Sequence, residues 1–175
     1  MMAGHTRPIA AVPASVTVGV LATLSMDAVF LAASQLGGAS FTSDKIGLDL
    51  IGRWAGGLAR GRFRHLDMAA EPAVRGEAAL GLAVHCLTGI TLTHLYYEAL
   101  RRCGRESGVP SATAFGAATA LMPMLIIYPS WGIGPFGLGS DETARLVRIM
   151  LLGHTAFGTA IGVWTRLLRR RAIAD

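Results

Sequence analysis

Four apolar stretches, at about residues 14–36, 79–100, 112–130 and 145–168, constrain the fold of this chain more than any other feature. A helix crosses roughly 30 Å of hydrocarbon in about 20 residues, so each stretch reads as a membrane span. The third, ATAFGAATALMPMLIIYPS, is the shortest and contains Pro123 and Pro129, which predicts a kink. Composition agrees with four spans. At 52% hydrophobic and 15% charged residues, with a mean hydropathy of +0.48, the 175 residues are too apolar for a soluble domain. The expected fold is all-α, an integral membrane four-helix bundle forming a single multi-pass domain over residues 1–175. A cleaved signal peptide competes for the first stretch, since Arg7 precedes it and Ala32, Ala33 and Ser34 follow its core. Signal cores hold about 7–15 apolar residues, whereas this one is longer and carries Asp27, so it is read as a span.

Charge sets the expected orientation. Arg101, Arg102 and Arg105 follow the second span, and Arg166, Arg169, Arg170 and Arg171 close the fourth. With Arg7 they fall on one side, which places both termini in the cytoplasm and the long loop 37–78 outside. That loop also carries Lys45, Arg53, Arg60, Arg62, Arg64 and Arg75, and its acids count little under the rule. The net charge of +5 does not point to nucleic acid, because the basic residues border apolar spans instead of forming an exposed face. Within the loop, Ile46, Leu50, Ile51, Trp54 and Leu58 recur at helical spacing, predicting a short amphipathic helix at the interface, capped at Thr42 or Ser43. Gly47, Gly52, Gly56 and Gly57 weaken it. Between the third and fourth spans, Trp131 and Phe136 are expected as interfacial anchors. Cys86 and Cys103 imply no disulfide framework.

Each span carries small or polar residues four apart on one face. These are Ser15, Gly19, Thr23 and Asp27; Gly81, His85, Gly89 and Thr93; Ala112, Gly116, Ala120, Met124 and Tyr128; and His154, Gly158 and Gly162. Small residues let membrane helices approach closely, so these stripes are the expected contact faces. The Gly158 and Gly162 pair fits an intrachain contact or a homo-oligomer equally well. An ionisable side chain at membrane depth is costly unless paired or wetted, so Asp27, His85 and His154 are the candidate site. Counting at 1.5 Å per residue puts all three roughly 9–14 Å below the outer surface, with Tyr128 as a roof. Such a set can bind a metal ion, ligate haem iron through two histidines, or pass protons; alternatively Asp27 hydrogen-bonds a histidine or threonine and only fixes helix register. No HExxH, CxxCH or EF-hand loop selects among these. Glu77 either completes the site from the loop or favours the helix N-terminus it precedes. His65, among Arg60, Arg62 and Arg64, and the further cation Arg53 suggest a loop that attracts anions or an acidic partner. His94 and Glu98 are read as a local ion pair near the cytoplasmic end of the second span.

The segments GRWAGGLARGRFRH at 52–65, RGEAALGLAVHCLTGI at 75–90 and GHTAFGTAIGVW at 153–164 resemble an uncharacterised bacterial family of small inner-membrane proteins, known only as a domain of unknown function. The resemblance spans nearly the whole chain. It implies four helices, a bacterial inner-membrane location, and family positions at Asp27, Gly52, Arg53, Trp54, Gly61, Arg62, Phe63, His65, Gly76, Glu77, His85, His154, Phe157 and Gly158. The chain departs from the family in having Cys86 after the second-span histidine and Tyr128, Pro129 and Ser130 where a Gln-Pro-Gly segment is typical. The family implies no activity.

Three functional classes follow. The first is a binding or transport-type protein that handles a metal ion, proton or small ligand at Asp27, His85 and His154. The second is an assembly subunit whose outer loop docks a membrane-protein partner. The third is a haem- or quinone-associated protein or a lipid-active enzyme, the enzyme ranking last for want of a nucleophile. In all three the lipid bilayer is the surrounding partner.

Overall fold

The computed structural model describes residues 11–38 and 43–174, and the described residues form helices joined by turns and irregular segments, without a strand. Helix α1 runs Ala11–Gly37, α2 Leu48–Leu58, α3 Glu77–Arg102 and α4 Val109–Thr119. After α4 the chain continues through a π turn, Pro123–Ile127, into one last turn, α5, at Tyr128–Ser130. A 3-10 turn at Pro135–Gly137 leads to α6, Thr143–Ala174. Four helical segments are long and apolar enough to cross a membrane: Ala14–Gly37, Glu77–Arg102, Val109–Ser130 and Thr143–Arg171. Leu24, Leu31, Leu87, Leu95, Leu125 and Leu151 point outward and are exposed, as expected of side chains that meet lipid. The kink expected in the third span takes the form of the π turn, which begins at Pro123, where the proline lacks the N–H an α-helix would use. Arg7 and Thr42 lie outside the described residues.

The small-residue stripes are the contact faces, in defined pairs. A side chain at Gly19 would overlap the backbone of Ile90, and one at Gly89 would overlap Thr23, so α1 and α3 touch backbone to backbone. Gly116 of α4 and Gly158 of α6 exclude any side chain at each other's position, while Gly162 packs on Val109. Both glycines of that pair are thus spent within the chain. Gly153 of α6 takes the ring of Phe30 from α1. Between these contacts lies a core of Val18, Ala22, Met26, Ala112, Phe157 and Ile161.

The stripe on α3 serves two neighbours, which its periodicity did not disclose. Gly81 faces Gly52 and the Leu48 carbonyl of α2, not another span. Of the glycines that weaken α2 as an isolated helix, Gly52 docks it on α3 and Gly57 receives the His65 ring. Instead of resting freely at an interface, α2 packs on α3 and, through Leu50, on Met68 and Trp131. Trp131 is therefore 3% exposed and not an interfacial anchor. The helix starts after Gly47, and Ser43, expected as a cap, donates instead to Glu142 at 2.7 Å. Where α2 is absent, α3 meets α4 directly through the Tyr96 and Phe115 rings, 5.0 Å apart. His94 lies 3.5 Å from Ser15, and Glu98 pairs with Arg101 and Arg102, so the expected His94–Glu98 pair does not form.

Replacing Gly116 by Ala should cost roughly 1–3 kcal/mol, because the methyl group has no room beside Gly158 and the helices must part. Gly56, whose added carbon would meet nothing closer than Arg60 at 3.8 Å, should accept Ala without loss. Thermal unfolding of the two variants in one detergent compares them directly.

Candidate functional site

Asp27 and His85 face each other because of the contact one turn deeper. Thr23 and Asp27 are four apart on α1, as are Gly89 and His85 on α3, and the Thr23–Gly89 contact sets the separation of the next turn. Asp27 Oδ1 comes to 3.4 Å from His85 Nδ1, an ion-pair distance without hydrogen-bond alignment. Asp27 Oδ2 is buried with no hydrogen-bond partner among the described residues. On the other side, the Gly116–Gly158 contact brings Thr119 to His154, with Thr119 Oγ1 2.9 Å from Nδ1. His154 sits next to Gly153, against which Phe30 packs, so α1 and α6 converge one residue from its ring.

All three predicted residues line one cavity of about 450 Å³. Its remaining wall is mostly apolar and includes Met26, Phe30, Trp54, Met122, Ile149 and Phe157. Tyr128, the expected roof, lines it and is 1% exposed, with its hydroxyl donating to the Leu146 carbonyl at 3.3 Å. The three residues share a cavity but not a coordination sphere. Among the described residues no three of His, Cys, Asp and Glu form a group that could hold a metal ion, so the metal reading lacks a ligand set.

Glu77 and the loop residues form a second, separate cluster. Glu77 takes Arg53 in a two-point ion pair, Nη2 to Oε1 at 2.8 Å and Nε to Oε2 at 3.0 Å, and accepts the Val74 N–H at 2.7 Å. Arg53 Nη1 also donates to the carbonyls of Ala69 and Glu71. The Glu77 carboxylate pushes the Arg53 guanidinium further above its ordinary pKa. Glu77 thus locks α2 to α3 and does not complete the Asp27 site. Arg62 pairs with Glu71 at 2.9 Å, and His65 Nδ1–H donates to the same carboxylate at 3.0 Å. Of the loop arginines Arg53, Arg62 and Arg64, the first two therefore meet internal carboxylates, and Arg64 is left exposed. His65 is buried, its ring seated against Gly57 of α2.

Three residues matter that the spacing did not single out: Thr119, Glu71 and Ser130. Ser130 accepts Trp54 Nε1–H at 2.8 Å, donates to the Phe63 carbonyl, and offers its own carbonyl to the His65 N–H at 2.8 Å. With Met68 N–H on the Trp131 carbonyl, it docks the loop onto the end of the third span. Gly132, at φ +87, permits this approach, since a side chain there would overlap the Leu66 carbonyl. The contacts from Ser130 join residues 67 and 76 apart, which no local pattern reports.

Four apolar spans closed on one another by glycine contacts, with a loop folded back over a shared cavity, define a multi-pass helical membrane protein. The chain belongs to the family described as "Protein of unknown function (DUF2938)", whose model matches residues 16–168. No curated protein and no solved structure matches the chain.

The Glu71 carboxyl is held below its usual pKa first by the His65 hydrogen bond and then by Arg62, against the opposing effect of burial. A depressed folded pKa means that the loop contacts contribute fully above the unfolded value and are lost as pH falls through the folded one. After correction for intrinsic rates, hydrogen exchange at the His65 and Met68 amides should accelerate as pH drops below the usual carboxylate range. In Glu71→Gln these amides should exchange faster already at neutral pH. Equal protection in acid and at neutral pH would contradict this.

Proposed function

We propose that this protein binds a small, mostly apolar molecule within the membrane, in the cavity that Asp27, His85 and His154 line. The observation that carries the reading is the cavity's make-up: about 450 Å³, walled by apolar side chains, with an acid–imidazole pair and a second imidazole as its ionisable groups. Small-molecule sites have this size and this ratio of apolar wall to convergent polar groups. A purely structural Asp–His pair fits less well, because packing that served only helix register would leave no such space beside it.

On this reading the protein sits in a bacterial inner membrane with both termini in the cytoplasm. Support comes from the arginines at 101, 102, 105, 166, 169, 170 and 171, which border the same ends of the spans. The cavity then lies in the outer half of the bilayer, roofed by α2 and the π turn, and its ligand arrives from the outer leaflet or the space beyond.

Trp54 and Trp131 line the cavity, whereas Trp164 lies elsewhere, bonded to Ser25 at 3.2 Å, so tryptophan fluorescence can report occupancy. Bromobenzene, which quenches on contact, should quench the protein saturably. Thr88→Phe, which places a ring in the cavity, should weaken that binding roughly tenfold, the scale on which a pocket discriminates by a few carbon atoms. Quenching that rises linearly in both proteins would sink the proposal, and a Soret band in the purified protein would replace it with haem binding.

A further inference from the structure

Resting on that reading of the cavity, we infer that its ligand is a hydrogen-bond donor: an apolar body ending in hydroxyl or amine hydrogens, presented to Asp27 and His154. The polar atoms of the wall lead there one by one. Thr119 has a single hydroxyl hydrogen, and the Gly116 carbonyl, 2.6 Å away, can only accept it. The Thr119 oxygen must then accept from His154, so the proton of that imidazole sits on Nδ1. In the neutral ring Nε2 therefore carries the lone pair. Asp27 adds a second acceptor from the opposite helix, since Oδ1 faces His85 while Oδ2 has no hydrogen-bond partner among the described residues.

The wall has few hydrogens to offer in return: His85 turns Nδ1 toward the Asp27 carboxylate at 3.4 Å, and a carboxylate there calls for the imidazole hydrogen on that nitrogen. Thr23 donates to the Gly19 carbonyl, Thr88 to Val84, Tyr128 to Leu146 and Ser43 to Glu142. The indole N–H of Trp54 is taken by Ser130, which leaves that of Trp131 as the lining indole without a partner among the described residues. A cavity rich in acceptors and poor in donors discriminates in one direction. A ligand that only accepts would leave Asp27 and the His154 lone pair without a hydrogen, whereas one that donates satisfies them. Sites built around unpaired polar groups reject the analogue that lacks the matching hydrogen far more strongly than they reject a change of size.

Two probes isolate this property: 4-bromophenol and 4-bromoanisole share an aryl bromide, and only the phenol has a donor. Titrated against tryptophan fluorescence in the intact protein, 4-bromophenol should bind about tenfold more tightly, a ratio set by one hydrogen bond to a charged or buried acceptor. Asp27→Leu and His154→Phe should each bring the ratio toward one. Saturable binding of both probes at equal affinity would overturn the donor inference and leave the cavity reading standing. A preference that survives both substitutions would overturn it too, by placing the acceptor elsewhere. If neither probe saturates, the cavity reading falls and the donor inference falls with it. The first comparison uses the unaltered protein, so it holds even if a variant fails to fold.

Discussion

Helices dissolved in lipid gain little by hiding apolar surface from one another, since the alternative neighbour is equally apolar. What holds this bundle in register is close contact between backbones, made where glycine leaves no side chain in the way. Three such contacts do most of the positioning: Gly19 with Gly89, Gly116 with Gly158, and Gly52 with Gly81. The first sets α1 on α3, the second α4 on α6, and the third fastens α2 to a span it does not itself cross. Each permits one sliding register and forbids its neighbours, because a shift of one residue would bring a Cβ against a backbone.

The polar residues follow from those contacts. Asp27 lies two turns beyond Gly19 and His85 one turn before Gly89, so the two face each other; His154 lies one turn before Gly158 and meets Thr119 for the same reason. The cavity exists because α3 has two partners along its length. At one end it packs on α4 through Tyr96 and Phe115, and at the other α2 takes that place without filling it. Arg53 and Glu77 then close the α2–α3 contact with a two-point ion pair that is largely shielded from solvent.

Much of this was legible in the residues themselves. Apolar length revealed the four spans, the four-residue stripes revealed their contact faces, and counting from the span ends brought Asp27, His85 and His154 into one layer. Partnership was not legible. Nothing in the spacing says that Gly81 serves α2 while Gly89 serves α1, because both lie on one stripe and the choice depends on how a distant loop folds. For the same reason Trp131 looked like an interfacial anchor: its burial requires Leu50 and Met68, which lie far back in the chain. Loop cations looked free for anions because their acids lie well along the chain, Glu77 24 residues from Arg53 and Glu71 9 from Arg62, and meet them only once the loop has folded. Whether such residues gather at one centre is also beyond residue types: among the described residues Asp27, His85 and His154 line one cavity without forming a three-ligand group.

The pairing order of the helices has a consequence for how the site comes into being. Asp27 belongs to α1 and His154 to α6, the first and last of the described helices, and the partner of His154 is Thr119 on α4. By themselves α1 and α3 hold the Asp27–His85 pair on the wall of an open groove. Helix α6, carrying His154 and Phe157, adds a further wall and turns that groove into a partly open cavity. No single helix holds the site: Asp27, His85 and His154 come from α1, α3 and α6, and the cavity is whole only when all three are in place.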